Sequence, residues 1–65
     1  MKQVSFASVP VGSEFWWGAY RDSDMNWGKK RSSRTADWKP RILGELSTYV
    51  SIGYWKQTEA VFIED

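Results

Sequence analysis

Neither a disulfide nor a cysteine- or histidine-ligated metal can hold this chain together, because its 65 residues include no cysteine and no histidine. At this length the constraint is severe. A domain of about 60 residues buries only about 60% of the surface its unfolded chain exposes, and chains this short usually rely on such staples. Two substitutes remain: dense packing of large side chains, or self-association. Composition supplies the first, since five tryptophans, three tyrosines and three phenylalanines are present. Each large ring brings roughly 150–250 Å² of surface to bury. The expectation is one small β domain over residues 1–65, packed around aromatic rings and assembling as a homo-oligomer.

Strand signals outnumber helix signals. Val4 and Phe6 alternate along a first strand, and Pro10, Gly12 and Ser13 mark a turn. From Glu14 to Tyr20 the alternation sets Phe15, Trp17 and Ala19 on one side and Trp16 and Tyr20 on the other. A strand apolar on both faces is central or covered. Adjacent Trp16 and Trp17 cannot both enter one core. Arg21–Gly28 reads as a loop, and Lys30–Asp37 as a strand of alternating cations that Trp38-Lys39-Pro40 breaks. Leu46–Tyr54 reads as a strand with a bend or bulge at Gly53, and Thr58–Ile63 as the last strand. A short helix near Ile42–Tyr49 is the alternative, disfavoured by Gly44, Ser47 and Thr48. The fold class is all-β: a small five-stranded SH3-like barrel or a strongly bent antiparallel sheet.

Charge is laid out unevenly. Lys29, Lys30, Arg31, Arg34, Lys39 and Arg41 face one acid, Asp37, so residues 29–41 carry +6 − 1 = +5 while the rest sums to −4. Trp27 and Trp38 flank these cations. Cations interleaved with flat rings suit anionic planar ligands such as nucleotides or nucleic acid. The candidate ligand-binding residues are Trp27, Lys30, Arg31, Ser33, Arg34, Thr35 and Trp38. On a flat strand Arg31 and Arg34 point to opposite faces; a turn at Ser32-Ser33 would bring them together. The competing readings are a solvated edge strand and charge pairing with the protein's own acids. A second aromatic set, Trp16, Tyr20 and Trp55, provides candidate interface anchors. Trp27–Ala36 and Trp55–Ala60 share an order of Trp, Lys, hydroxyls and Ala, read as two strands of similar composition.

Other chemistries find little footing. Without histidine or cysteine, the commonest general base and the thiol nucleophile are missing. Neither a phosphate loop nor a dinucleotide fingerprint occurs. Asp22, Asp24 and Asn26 echo the start of a calcium loop, but Trp27 stands where glycine is needed and Ser33 where a bidentate Glu is needed. No catalytic residue, metal or cofactor is expected. Neither a signal peptide nor an apolar run of membrane-spanning length is seen, which predicts a soluble cytoplasmic protein without a membrane partner.

The segment Phe6-Ala7-Ser8-Val9-Pro10-Val11-Gly12-Ser13-Glu14-Phe15 resembles the opening of short bacteriophage and prophage accessory proteins. Arg31-Ser32-Ser33-Arg34-Thr35-Ala36 is similar to the basic Ser-x-Arg-Thr-Ala run that many of them carry. The long loop Arg21–Gly28 and the surplus of tryptophan depart from that pattern. The resemblance implies a phage-type protein acting on a host pathway, in the host cytoplasm, with no particular activity attached. Taken with the residues, the expected function is a non-enzymatic small β-barrel that holds or sequesters an anionic ligand. The alternative is a protein–protein inhibitor or adaptor directed at a host protein, such as one of a defence system. A third reading is a structural component of a virion.

Overall fold

The computed structural model of the protein describes residues 1–18 and 24–64. Eight strands are present: β1 (Lys2–Ser5), β2 (Glu14–Trp17), β3 (Asn26–Lys30), β4 (Thr35–Lys39), β5 (Arg41–Ile42), β6 (Glu45–Leu46), β7 (Ser51–Tyr54) and β8 (Ala60–Ile63). A 3₁₀ turn, Phe6–Ser8, follows β1. Six strands form one antiparallel sheet in the order β1-β8-β2-β3-β4-β7, and β5 and β6 pair separately. The all-β expectation holds in its open form, a bent antiparallel sheet rather than a closed barrel.

The sheet curls because side chains from distant strands must reach one small core. Phe15 of β2, Ala36 of β4 and Val61 of β8 are fully buried together with Phe6, and Val9 and Trp55 join them. The 55–59 segment crosses from one end of the sheet to the other. Trp55 N–H donates to the Arg34 carbonyl at 2.9 Å, while the carbonyls of Gln57 and Glu59 accept from Ala7 and Phe6 at 3.0 and 2.8 Å. Alternation works as read at the two strands that sit beside each other. Phe15 and Trp17 point inward and Trp16 outward, and Val61 and Ile63 pack on the core while Ala60 and Phe62 lie on the opposite face. Ala19 and Tyr20, expected to extend β2, fall outside the described residues.

Several expectations need correction. Asn26–Gly28, read as the end of a loop, belong to β3, and Trp38 and Lys39, read as breaking a strand, complete β4. Lys30–Asp37 is a hairpin, not a strand. Ser32 Oγ accepts from the backbone N–H groups of Arg34 and Thr35, and the Thr35 carbonyl accepts from Arg31 and Ser32. Serine thereby competes with the ladder for backbone partners and turns the chain. The Leu46–Tyr54 strand is also interrupted. β5 and β6 are joined through Leu43 and Gly44, both at positive φ (51° and 84°), the backbone that a two-residue hairpin turn requires. Ser47 N–H then donates to Pro40 and Tyr49 N–H to Ser47 Oγ, so regular pairing resumes only at Ser51. That hairpin also replaces the helical alternative. Finally, Gly53 is no bulge. It pairs in register with Ala36, and its missing side chain makes room for the rings of Trp55 and Trp38, which a Cβ would meet at 2.8 and 3.1 Å.

Gly28 has the same use on the other side of the core. It lies directly opposite Phe15, whose ring lies over its α-carbon so closely that a Cβ would stand well under 3.0 Å from it. Because Phe15 is fully buried, the ring has nowhere to go. Gly28→Ala is expected to lower stability by about 2 kcal/mol or more through overpacking, measured by urea unfolding. A variant of unchanged midpoint would show that the ring is free to shift.

Candidate functional site

The six cations of the basic segment have separate fates. Lys30 is buried, 5% exposed, with its ammonium donating to the Phe6 carbonyl at 2.8 Å and lying 4.5 Å from the centre of the Phe6 ring. It is a structural cation, which corrects its expected role as a surface phosphate contact. Arg31 donates to Asp37 at 3.0 Å. Such an exposed pair contributes only about 0–1 kcal/mol, because water screens it. Lys39 sits over the Trp27 ring at 5.1 Å. Arg41 spends its guanidinium on the carbonyls of Met25 and Gly44, both at 3.0 Å. Arg34 and Lys29 are exposed and make no ion pair among the described residues. Much of the apparent positive charge is therefore already engaged inside the molecule.

The expected hydroxyls and indoles also separate. Thr35 shares its hydroxyl hydrogen bond with Ser32 (2.6 Å) as part of the turn, whereas Ser33 is exposed. Trp38 points to the core side and meets Trp17 edge-on at 5.5 Å, so it is not a stacking platform beside the cations. Trp27 lies on the opposite face, where its indole N–H donates to Glu14. Trp16 is its cross-strand neighbour and lines a cleft of about 330 Å³ with Pro10, Ser13, Glu14, Ile63 and Glu64. Trp55 was expected at an interface. Instead it is 6% exposed, stacked on Phe6 at 5.8 Å and edge-on to Phe15 at 5.5 Å. Tyr20, the third expected anchor, lies outside the described residues, as do Asp22 and Ser23 of the calcium-like run.

What the fold does bring together is Arg34 and the segment after β7. Arg34, Tyr54, Trp55, Lys56, Gln57 and Glu59 line a cleft of about 580 Å³, within the ~300–1,000 Å³ range of small-molecule sites. The Arg34–Trp55 backbone bond holds its two walls in register. The Tyr54 side chain is 83% exposed, while the buried Trp55 offers only a rim. Lys56, like Arg34, makes no ion pair among the described residues. Two cations, a free phenol ring, an amide and one carboxylate thus share a concave surface. The two stretches that look alike in sequence meet here, one giving Arg34 and the other Trp55, Lys56, Gln57 and Glu59.

Tyr54, Lys56, Gln57 and Glu59 were not singled out from the sequence. A signal existed in the polar run Lys56-Gln57-Thr58-Glu59 directly after two aromatic residues, but only the backbone crossing places it against Arg34. Comparison of the chain with family models, curated proteins and solved structures gave no match.

Opposite outcomes are expected for two neighbouring cations. Lys30→Ala removes one of the two donors to the Phe6 carbonyl, leaving Val9 N–H at 3.1 Å, and empties the space its buried chain fills, so it should cost about 2 kcal/mol of stability. Arg34→Ala should stay within about 0.5 kcal/mol, as exposed substitutions do. Paired urea titrations check both, and equal losses would refute the division into structural and available charge.

Proposed function

We propose that this protein is a non-enzymatic binding module that holds a small anionic ligand carrying a flat ring, of nucleotide type, in the Arg34–Tyr54–Lys56 cleft. One observation carries the reading: two cations without ion-pair partners among the described residues border a cleft of about 580 Å³ beside an exposed aromatic ring. Arg34 suits a bidentate phosphate contact and Lys56 a point-charge contact. Stacking on Tyr54 would add about 1–3 kcal/mol per base. Gln57 and Glu59 offer an acceptor–donor edge and an acceptor for the ring's own N–H groups.

A small ligand fits better than a nucleic-acid strand. A strand needs a track of cations, and Lys30, Arg31, Lys39 and Arg41 are engaged elsewhere. A nucleic-acid strand held by these two cations alone would show a log–log salt slope of only about −1.4 to −1.8. The cellular effect would follow from sequestering the ligand. A phage-type accessory role in the host cytoplasm is compatible with the resemblance of the Phe6–Phe15 and Arg31–Ala36 segments. No helix among the described residues is long and apolar enough to cross a membrane. The adaptor reading keeps one specific support, the hairpin tip where Ile42 and Leu43 are 60% and 100% exposed.

Fluorescence titration is the direct test, because Trp55 rims the cleft. Nucleoside phosphates, cyclic dinucleotides and single-stranded DNA are titrated at low and high salt. Quenching by a small nucleotide is expected, weakened at least ~10-fold by Arg34→Ala, equivalent to about 1.4 kcal/mol. If no compound changes the emission at low salt, the proposal fails.

A further inference from the structure

Two edges bound the main sheet, β1 and β7, and they are unlike. β1 begins with exposed Lys2 and Gln3, the kind of charged edge that discourages pairing. β7 has no such guard. Leu46 to Trp55 contains no charged residue. Of the eight large hydrophobic residues exposed among the described residues, six (Ile42, Leu43, Tyr49, Val50, Ile52 and Tyr54) fall between positions 42 and 54.

The backbone of this edge is free to pair. Because Trp55 N–H donates to the Arg34 carbonyl, Arg34–Trp55 is a hydrogen-bonded position of the β4–β7 ladder. Antiparallel alternation then turns the amide groups of Gly53 and Ser51 toward β4, and those of Ile52 and Tyr54 away from it. No backbone partner meets those outward groups among the described residues. The side chains beside them, Val50, Ile52 and Tyr54, are 52%, 60% and 83% exposed and share the outer face.

From these observations we infer that β7 is a self-association edge, joining two copies of the chain by antiparallel β7–β7 pairing about a twofold axis at Ile52. In that register Ile52 opposes its own copy, and Tyr54 opposes Val50 of the other copy, so the exposed apolar residues of the edge cover one another. Aromatic–β-branched cross-strand pairs of this kind are favourable. Lys56 falls opposite Thr48, so no like charges oppose. A second copy suits the edge better than a charged partner strand because the segment is uncharged and self-complementary. Pairing β7 with β1 instead would leave a free edge at each end and propagate without closing. Twofold pairing consumes both β7 edges and stops at two copies. The inference rests on the edge and not on the ligand proposal, and Ile52 lines no part of the cleft.

Sedimentation velocity over a concentration series, with hydrogen exchange on the same samples, decides the matter. A species of twice the 7.6 kDa chain mass is expected, with slowed exchange at Ile52 and Tyr54 that is lost on dilution. Ile52→Lys, at an exposed site, should keep the native near-ultraviolet spectrum and raise the dimer dissociation constant by roughly 100-fold, since it sets two like charges directly opposite each other at the twofold axis. A monomer at every concentration would overturn the inference. So would a dimer whose Ile52 and Tyr54 amides exchange freely, a measurement that needs no variant. Nucleotide titration of Ile52→Lys keeps the two proposals apart, because loss of the dimer with retained quenching removes neither.

Discussion

Phe6 is stacked on Trp55 at 5.8 Å, Phe15 meets both rings edge-on at 5.4 and 5.5 Å, and the Lys30 ammonium lies 4.5 Å from the Phe6 ring centre while donating to its carbonyl. The four residues come from four separate parts of the chain, so their cluster ties the sheet together in a chain that has no cysteine to form a disulfide. Edge-to-face and stacked rings gain about 0.5–1.5 kcal/mol per pair beyond simple burial. Trp17, edge-on to Trp55 at 5.4 Å and to Trp38 at 5.5 Å, continues the cluster along the core side of the sheet. Gly28 and Gly53 exist to let these rings lie against the backbone.

That cluster decides what the charges are free to do. A lysine drawn inside to satisfy a carbonyl is removed from the surface, and an arginine committed to two backbone carbonyls, as Arg41 is, is held by the fold. The turn that Ser32 stabilises pushes Arg34 outward, and the crossing of residues 55–59 over the core carries Lys56 to the same side. The cleft is thus a by-product of how the core is closed: the backbone bond from Trp55 to Arg34 belongs at once to the β4–β7 ladder and to the cleft wall. Tyr54 lines the cleft and also stands on the open β7 edge.

Alternation was legible wherever a strand was flanked by firm turns. Phe15, Trp16 and Trp17 divided between faces as period two demands, and Val61 and Phe62 did likewise. It failed where short polar side chains offered the backbone other partners, at Ser32 and Ser47, and where two residues at positive φ closed a hairpin at Leu43-Gly44. Among the ligand candidates Arg34 stays exposed, whereas Lys30 and Trp38 turn to the core side, because alternation says which residues share a face but not which face lies inside.

By itself the sequence determined the class of solution: alternation and closely spaced turn residues called for β structure, and a chain this short without cysteine or histidine had aromatic packing or self-association to close it. Its local spacing also determined which neighbours part company across a strand, since side-chain direction there is a property of the backbone. Only the tertiary structure decided which cations remain available, because that depends on carbonyls and carboxylates brought near from distant positions. It alone also set Arg34 beside Lys56, twenty-two positions apart (56 − 34), for burial and long-range backbone pairing are properties of the assembled sheet and have no counterpart in any local stretch of chain.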